Sequence, residues 1–404
     1  MALLKLVYEG SVKRLLERAD IPERLYFEFT DDFSVFDWGK MPDSISKKGL
    51  SLALIGAYFF ETLSTPETFE ELKSSPHFTD LDQEFLSELF QSKEYISLCK
   101  NGLGHHYFGL SDGEKTFALS ELLTEKKPET LYLEVAKASV FAPSSKNYGA
   151  NRIYFYPEEL ESPLKKRLIP LEVVFRFGMP QGSSLKGRLE SNPDYLRELG
   201  LKTMPSEGEL FEIPVIEFFT KLEPEDRHLS YQEAVLLSRL SQKQFEELLA
   251  TTRALALALR HIFAEHDIAL FDGKFEFLLD QEKDRILLAD SIGPDELRLI
   301  YRGHHLSKEL VRQYYQDSKW AKAVKEAKRL SKIDPSTDFK ERCINELNAT
   351  PEPISSDKKS LIDLLYPVLA STLIGKNLLD PQKPVSLAEL AERFDHAFKR
   401  TVTR

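Results

Sequence analysis

The stretch LFDGKFEFLLDQEKDRILLAD, Leu270 to Asp290, constrains the fold of this chain more than any other. Two apolar runs flank the polar turn DQEKD, and in the first run charged and aromatic residues alternate. Successive side chains of a strand point to opposite faces. Asp272, Lys274 and Glu276 therefore share one face, and Phe271, Phe275 and Phe277 share the other, which enters the core. With the turn centred on Glu282, Lys274 lies opposite Asp290 and Glu276 lies diagonal to it, about 7–8 Å away. One divalent ion can bridge two carboxylates at that range. The reading depends on register, because a slip of one residue moves Asp290 to the wrong face. Mg²⁺ takes one or two carboxylates together with waters and phosphate oxygens. A lysine beside them offers a point charge to a phosphoryl group in transfer. A solvated strand with a charge ladder would show the same D-x-K-x-E; Asp290 at the end of ILLAD, with Asp295 and Arg298 beyond it, favours a site.

The rest of the composition narrows the class. A chain of 404 residues, 42% hydrophobic and 29% charged, is expected to fold into two or three packed units. A net charge of −11 argues against a broad basic surface for nucleic acid; a small anion held by a few lysines and arginines still fits. Cys99 and Cys343 stand far apart without metal-type spacing, as expected of a reduced protein rather than a disulfide scaffold or a cysteine zinc site. The opening MALLKLVYEG has too short an apolar run for a signal segment, and no stretch reaches the roughly 20 apolar residues of a membrane span. A cytoplasmic location without membrane contact is expected.

Along the chain, β-rich patterns come first: LLKLVYEG, VKRLLERA and RLYFEFTDDFSVFD alternate like a meander. GLSLALIGAYFFETL, 49–63, is a helix apolar on most sides. Residues 64–100 are polar and read as a peripheral helical insertion. Strands are expected at 105–110 and 130–142, a loop excursion at 143–163, a buried strand at 167–178 and a turn over MPQGSSLKGR. Residues 231–266 show helical spacing, and after about 306 nearly everything does. The linker NATPEPISSDKKS precedes apolar C-terminal helices that suit either a subunit interface in a homo-oligomer or a brace across the lobes. The order β, mixed, α predicts an α+β protein rather than alternating βαβ units. Its expected units are an N-terminal lobe, 1–140, an α+β lobe, 141–329, and a helical extension, 330–404.

These residues also carry a resemblance. DGKFEF and LLADSIGPDELR resemble the D-x-K-x-E-F and L-x-D-x-x-x-P-D-x-x-R blocks of the SAICAR synthetases, the phosphoribosylaminoimidazole-succinocarboxamide synthases. LVYEGSVKRL is similar to the family's glycine turn, and DDFSVFDWGKMPDSISKKG to its D-x-x-S-A-x-D and K-G blocks. LIPLEVVFR with GSSLKGR, PVIEFFTKLEPEDRHLS and LSKELVRQYYQ follow in the family's order. The resemblance implies a two-lobed, kinase-like α+β fold with an antiparallel sheet over ATP. It implies an ATP- and Mg²⁺-dependent ligase of purine biosynthesis that joins L-aspartate to carboxyaminoimidazole ribonucleotide through an acyl phosphate. Such chemistry rests on alignment and charge neutralisation.

Carried onto this sequence, Gly10, Ser11 and Lys13 hold ATP phosphates, and the run containing Lys137 passes the adenine. Lys274 touches the transferring phosphate, with Arg176 and Asp272 beside it as catalytic groups. Glu276 and Asp290 hold Mg²⁺. Asp32, Ser34, Asp37 and Lys48 belong to a loop closing over the substrates; Arg176, Ser183, Arg298, Lys308 and Arg312 contact the imidazole nucleotide. The sequence departs from the family pattern at Ser11, where a lysine is usual, and at Glu296, where Ser or Thr is frequent. One extra residue before Gly182 leaves Ser183 and Ser184 as alternatives.

Some features have plainer readings. His105-His106 and His304-His305 are expected to be structural, because no third ligand is spaced to join them. Arg176 on an apolar strand needs partners, whether a ligand or an ion pair. Two rivals stand beside the ligase: a small-molecule kinase of related architecture, since inositol phosphate kinases carry a strand D-x-K, and a non-catalytic nucleotide-binding module, favoured only by Ser11 and the extensions.

Overall fold

The computed structural model describes residues 4–122, 130–149, 151–180, 182–192, 194–334, 336–377, 379 and 384–398. The expected meander forms one antiparallel sheet of β1 (Lys5–Glu9), β2 (Lys13–Arg18), β3 (Ile21–Phe29), β4 (Tyr107–Ser111), β5 (Thr116–Phe117) and β6 (Tyr132–Ala136), in the order β1-β2-β3-β6-β4-β5. Helix α1 (Lys48–Leu63) lies against it. Twelve of its 16 residues are buried, as a helix apolar all round must be. Gly49 lets the helix start touch β3, since a Cβ there would fall 2.1 Å from the Phe29 carbonyl oxygen.

Residues 64–100 are not peripheral. They form α2 (Pro66–Leu72), a 3₁₀ turn (Pro76–Phe78), α3 (Gln83–Gln91) and α4 (Lys93–Asn101), and Phe69, Leu72, Phe78 and Tyr95 join the main core. The amphipathic stripe of each short helix was hidden in a segment polar on average. After the short α5 (Leu119–Leu122), the expected loop at 143–163 contains an exposed hairpin, β7 (Ser144–Tyr148) and β8 (Asn151–Phe155).

The second sheet comprises β9 (Lys166–Leu168), β10 (Leu171–Gly178), β11 (Leu210–Thr220), β12 (His228–Leu229), β13 (Ala269–Asp280), β14 (Arg285–Ala289), β15 (Leu297–Tyr301) and β16 (His304–His305). Its path is β12-β11-β10-β13-β15-β16, and β9 and β14 pair with the far half of β13. The stretch read as a turn after β10 contains α6 (Ser184–Ser191), followed by α7 (Asp194–Glu198). Helices α8 (Tyr231–Ser238) and α9 (Gln242–Ala264) begin with complete capping boxes at Ser230 and Ser241. The C-terminal third is α10 (Lys308–Gln316), α11 (Lys319–Ile333), α12 (Phe339–Asn345), α13 (Ser356–Ile374) and α14 (Leu387–Ala397).

The C-terminal helices brace the molecule. Ile362, Leu365, Tyr366 and Leu369 of α13 join the main core. Asp363 accepts from the Ser46 amide at 2.7 Å, and Lys47 Nζ donates to the Leu379 carbonyl at 2.9 Å, so the extension grips the loop before α1. Among the described residues no helix is long and apolar enough to cross a membrane.

Candidate active site

Strand β13 is the floor of the cleft, and its alternation holds. Asp272 and Glu276 are buried, Lys274 is half-buried, and Phe275 and Phe277 enter the main core from the opposite face. Beside Lys274 the floor continues onto β10. Lys274 Nζ donates to Glu172 at 2.6 Å. Lys221, just past β11, donates to the same Glu172 at 3.1 Å and to Glu276 at 2.5 Å.

The hairpin register differs by one residue from the expected one: Glu276 pairs with Ala289, not diagonally with Asp290. A regular continuation would carry Asp290 to the wrong face. It does not, because β14 stops at Ala289 and Asp290 takes a left-handed conformation, φ 60°. Aspartate tolerates this region better than most residues. The turn brings its carboxylate back into the cleft, where it is ion-paired with Lys13 from the first sheet. His106 Nε2 lies 2.9 Å from the Asp290 carbonyl oxygen and fixes the backbone there.

Charges here are strongly coupled. Burial and then Asp290 push the Glu276 carboxyl above the usual range. Burial works against Asp290 too, yet Lys13 beside it holds its pKa to about 2. Lys221 and Lys274 remain charged despite burial because Glu276 and Glu172 face them. Glu276, buried, and Asp290, partly exposed, are thus two oxygen donors that feel each other, each paired with an ammonium. A divalent ion satisfies the same electrostatic need, so the pair fits Mg²⁺.

A cavity of about 160 Å³ opens between the sheets, lined by Lys13, Phe29, Asp290, Gly293, Asp295 and Glu296 among others. Lys48, fully buried, pairs with Asp295 at 2.8 Å, and Tyr366 of α13 donates to Asp295 at 2.6 Å. Burial, then Asp295 and Asp290, raise the Glu296 carboxyl to about 8. Lys308 at the start of α10 acts on both acids.

Toward the other half of β13, the register sets Arg176 opposite Asp272 and Asp272 opposite Arg298. Arg176 is buried between Glu217 at 2.5 Å and Asp272 at 2.8 Å. Arg298 lies 3.6 Å from Asp272, and its Nη1 is buried with no hydrogen-bond partner among the described residues. Arg312 donates to Glu309 at 2.7 Å, and its charge reaches His305 as that of Arg298 does.

The remaining expected residues are engaged elsewhere. The Gly10 amide closes the β1–β2 turn on the Lys13 carbonyl at 2.8 Å, leaving Ser11 exposed. Lys137 Nζ donates to Glu17 at 2.9 Å. Asp32 pairs with Lys40 at 2.9 Å, Ser34 accepts from the Gly39 amide at 3.1 Å, and Asp37 is ion-paired with Lys328. Ser183 caps α6, while Ser184 accepts from Arg188 at 3.1 Å. Of the histidine pairs, His106, His304 and His305 are buried and His105 is half-buried; His304 meets Asp395 at 2.8 Å.

Comparison with known proteins decides what this cleft belongs to. The SAICAR synthetase family model matches residues 6–94 and 138–327. The chain belongs to that family. It is 29% identical over 379 residues, 93% of this chain and 96% of the relative, to a protein of Archaeoglobus fulgidus provisionally named phosphoribosylaminoimidazole-succinocarboxamide synthase. It is 23% identical to the phosphoribosylaminoimidazole-succinocarboxamide synthase of Thermoplasma volcanium, covering 92% of this chain and 99% of that one. The SAICAR synthase of Saccharomyces cerevisiae, solved in complex with SAICAR, superposes over 93% of this chain and 96% of its own with a TM-score of 0.52 at 20% identity. That likeness bears out the α+β family fold. The family match also runs through residue 94, across most of the segment read as an insertion.

Sequence reasoning missed four charged residues in or beside the cleft of this SAICAR synthetase family member. Glu172 had a signal: it shares the period-2 face of Arg176 on β10. Lys221 and Asp226 lie in the family-like block PVIEFFTKLEPEDRHLS, but they follow the strand, and only the packing of β11 beside β10 aims Lys221 at Glu276 and sets the Asp226 carboxyl within the field of Glu172, Lys274 and Lys221. Asp31 accepts from the Lys47 and Gly49 amides at 3.1 and 2.9 Å, securing the start of α1 beneath the adjacent Asp32.

Proposed function

We propose that this protein is the ADP-forming ligase that joins L-aspartate to carboxyaminoimidazole ribonucleotide to give SAICAR in purine biosynthesis, as its family membership indicates. The observation that carries the reading is the convergence of Lys13 from one sheet with Lys274, Glu276 and Asp290 from the other. A nucleotide between the lobes meets positive charge from both, and its phosphates give Lys13 a partner in place of Asp290.

The chemistry proceeds in two displacements. A carboxylate oxygen of the imidazole substrate bonds to the γ-phosphorus, and the bond from phosphorus to the ADP oxygen breaks. The aspartate nitrogen then bonds to the acyl carbon, the carbon–oxygen bond to phosphate breaks, and the nitrogen gives up a proton. Lys274 and Lys221 place fixed charge beside the moving phosphoryl group, where a preorganised dipole or charge lowers the barrier most. Glu276 and Asp290 would hold Mg²⁺, which would neutralise phosphate oxygens. Arg298, with its unsatisfied guanidinium nitrogen, and Arg312 suit the phosphate or carboxylates of the nucleotide substrate. Lys48 and Lys308 steady the acidic wall at Asp295 and Glu296.

ADP release from purified protein given ATP, the carboxylated imidazole nucleotide and L-aspartate tests the reading. Turnover that requires all three is expected. ADP release that does not depend on aspartate would identify a kinase instead; none above background would reject catalysis.

A further inference from the structure

Away from the cleft, three metal-ligating side chains converge. His261 in the last turn of α9 and Glu265, the residue that caps its C-terminus in helical conformation, stand four residues apart and so share one face. His77 comes from the 3₁₀ turn Pro76–Phe78. One ligand atom from each of the three lies within 4.8 Å of the other two. His77 Nε2 is 2.5 Å from Glu265 Oε1, and the two imidazole centroids are 5.6 Å apart. A simple His–Glu contact accounts for two of these groups and gives no reason for the second imidazole beside them.

That second imidazole is also oriented. Ser75 Oγ lies 2.9 Å from His261 Nδ1, the kind of outer partner that fixes the ring of a metal-binding histidine. The same Ser75 caps the 3₁₀ turn by accepting from the His77 amide. Phe78 packs edge-on to the His261 ring, and Arg260 pairs with Asp80 at 2.5 Å, so the turn is pinned to α9 on both sides of His77. Burial lowers the His261 pKa against the pull of Glu265, which favours the neutral ring a metal needs. The charge of Glu71, from α2, also acts on His261.

We propose that His77, His261 and Glu265 form a binding site for a zinc-type divalent ion that clasps the helical segment 64–101 to α9. Two imidazoles and one carboxylate are a borderline donor set that suits zinc and disfavours magnesium or calcium. This separates the site chemically from the all-oxygen pair Glu276 and Asp290. Donors about 2.1 Å from a tetrahedral zinc lie roughly 3.4 Å apart, so the cluster closes by side-chain shifts of about 1 Å. On binding, the neutral His77 ring keeps its proton on Nδ1 and turns the Nε2 lone pair to the ion, while Glu265 exchanges its contact with Nε2 for the ion. Water completes the coordination.

The test uses tag-free full-length protein, stripped with chelator and kept in excess Mg²⁺ so that the carboxylate pair is occupied. Titration with Zn²⁺ by calorimetry is expected to show one tight equivalent per chain and a raised Tm; Co²⁺ in its place is expected to give visible d–d absorption. His77→Gln and Glu265→Gln, at partly exposed positions, should each weaken zinc binding more than about tenfold. Both variants should keep the metal-free Tm and the basal turnover. Wild-type protein that binds no more zinc than the His77→Gln/His261→Asn double variant overturns the proposal. So does zinc affinity that neither single substitution lowers.

Discussion

The floor and the roof of the cleft are built differently. β13 is buried along nearly its whole length, and its charged groups are matched by partners on β10, β15 and beyond β11. β1 is exposed throughout and β2 half-buried, with Leu6, Val7 and Tyr8 open to solvent. Yet both supply charge to one site. Burial makes the floor stiff, because its charges are interlocked in pairs and triads that must move together in low dielectric. The roof can exchange partners at little cost: Lys13 is held by Asp290 and the Phe27 ring alone among the described contacts. A cleft that must admit and release a nucleotide needs one half of each kind.

The sharpest challenge to that contrast is Arg176→Met. It leaves Glu217 to Arg188 and Tyr195 and leaves the buried Asp272 with only Arg298 at 3.6 Å, so a loss of about 3–5 kcal/mol is expected in urea unfolding. A loss below about 1 kcal/mol would make the floor no stiffer than the roof. Next in size is Lys274→Ala, where Lys221 still neutralises Glu172. The fold should survive while kcat drops by about 10²–10³-fold, read as ADP release under saturating substrates. Lys13→Ala probes the roof. It should raise KM for ATP by about ten- to a hundredfold, the worth of a charge-assisted hydrogen bond, with little change in Tm. A large Tm loss would show that the roof is structural.

A smaller effect follows from Glu296. Asp295 and Asp290 oppose its charge, while Lys308 and Lys13 favour it. Its folded pKa, about 8, exceeds the ordinary 4.5, so the folded chain keeps a proton that the unfolded chain loses between those values. The associated stability is complete below pH 4.5 and is lost as pH rises through 8. Glu296→Gln should flatten the fall of Tm over that window; an unchanged slope would place the titration elsewhere. The least effect is expected from replacing the exposed β7–β8 hairpin with a short turn. Turnover should stay within about twofold and stability within about 0.5 kcal/mol, as for surface changes generally.

Much of this was legible beforehand. The meander, α1, α9 and the strand faces of β13 carry strong periodic patterns, and period 2 alone places Asp272, Lys274 and Glu276 together. The helical character of 64–100 was legible but its burial was not, and the helix at 184–191 was read as a turn, because the apolar stripes of these short helices are only two or three residues long. The His77, His261 and Glu265 cluster was illegible, since a 3₁₀ turn and a helix far apart in the chain form it.

By itself the sequence determined which side chains share a face, because a strand's alternation is a property of its own backbone. It also determined the family, through ordered blocks of residues. Which faces meet was decided by tertiary structure. Lys13 and Asp290 are 277 residues apart and touch only because the fold brings the two sheets together. Asp290 reaches the cleft only through a left-handed residue that overrides the register of its own strand. No local pattern encodes such a turn; its partners Lys13 and His106 reach Asp290 only from the other sheet.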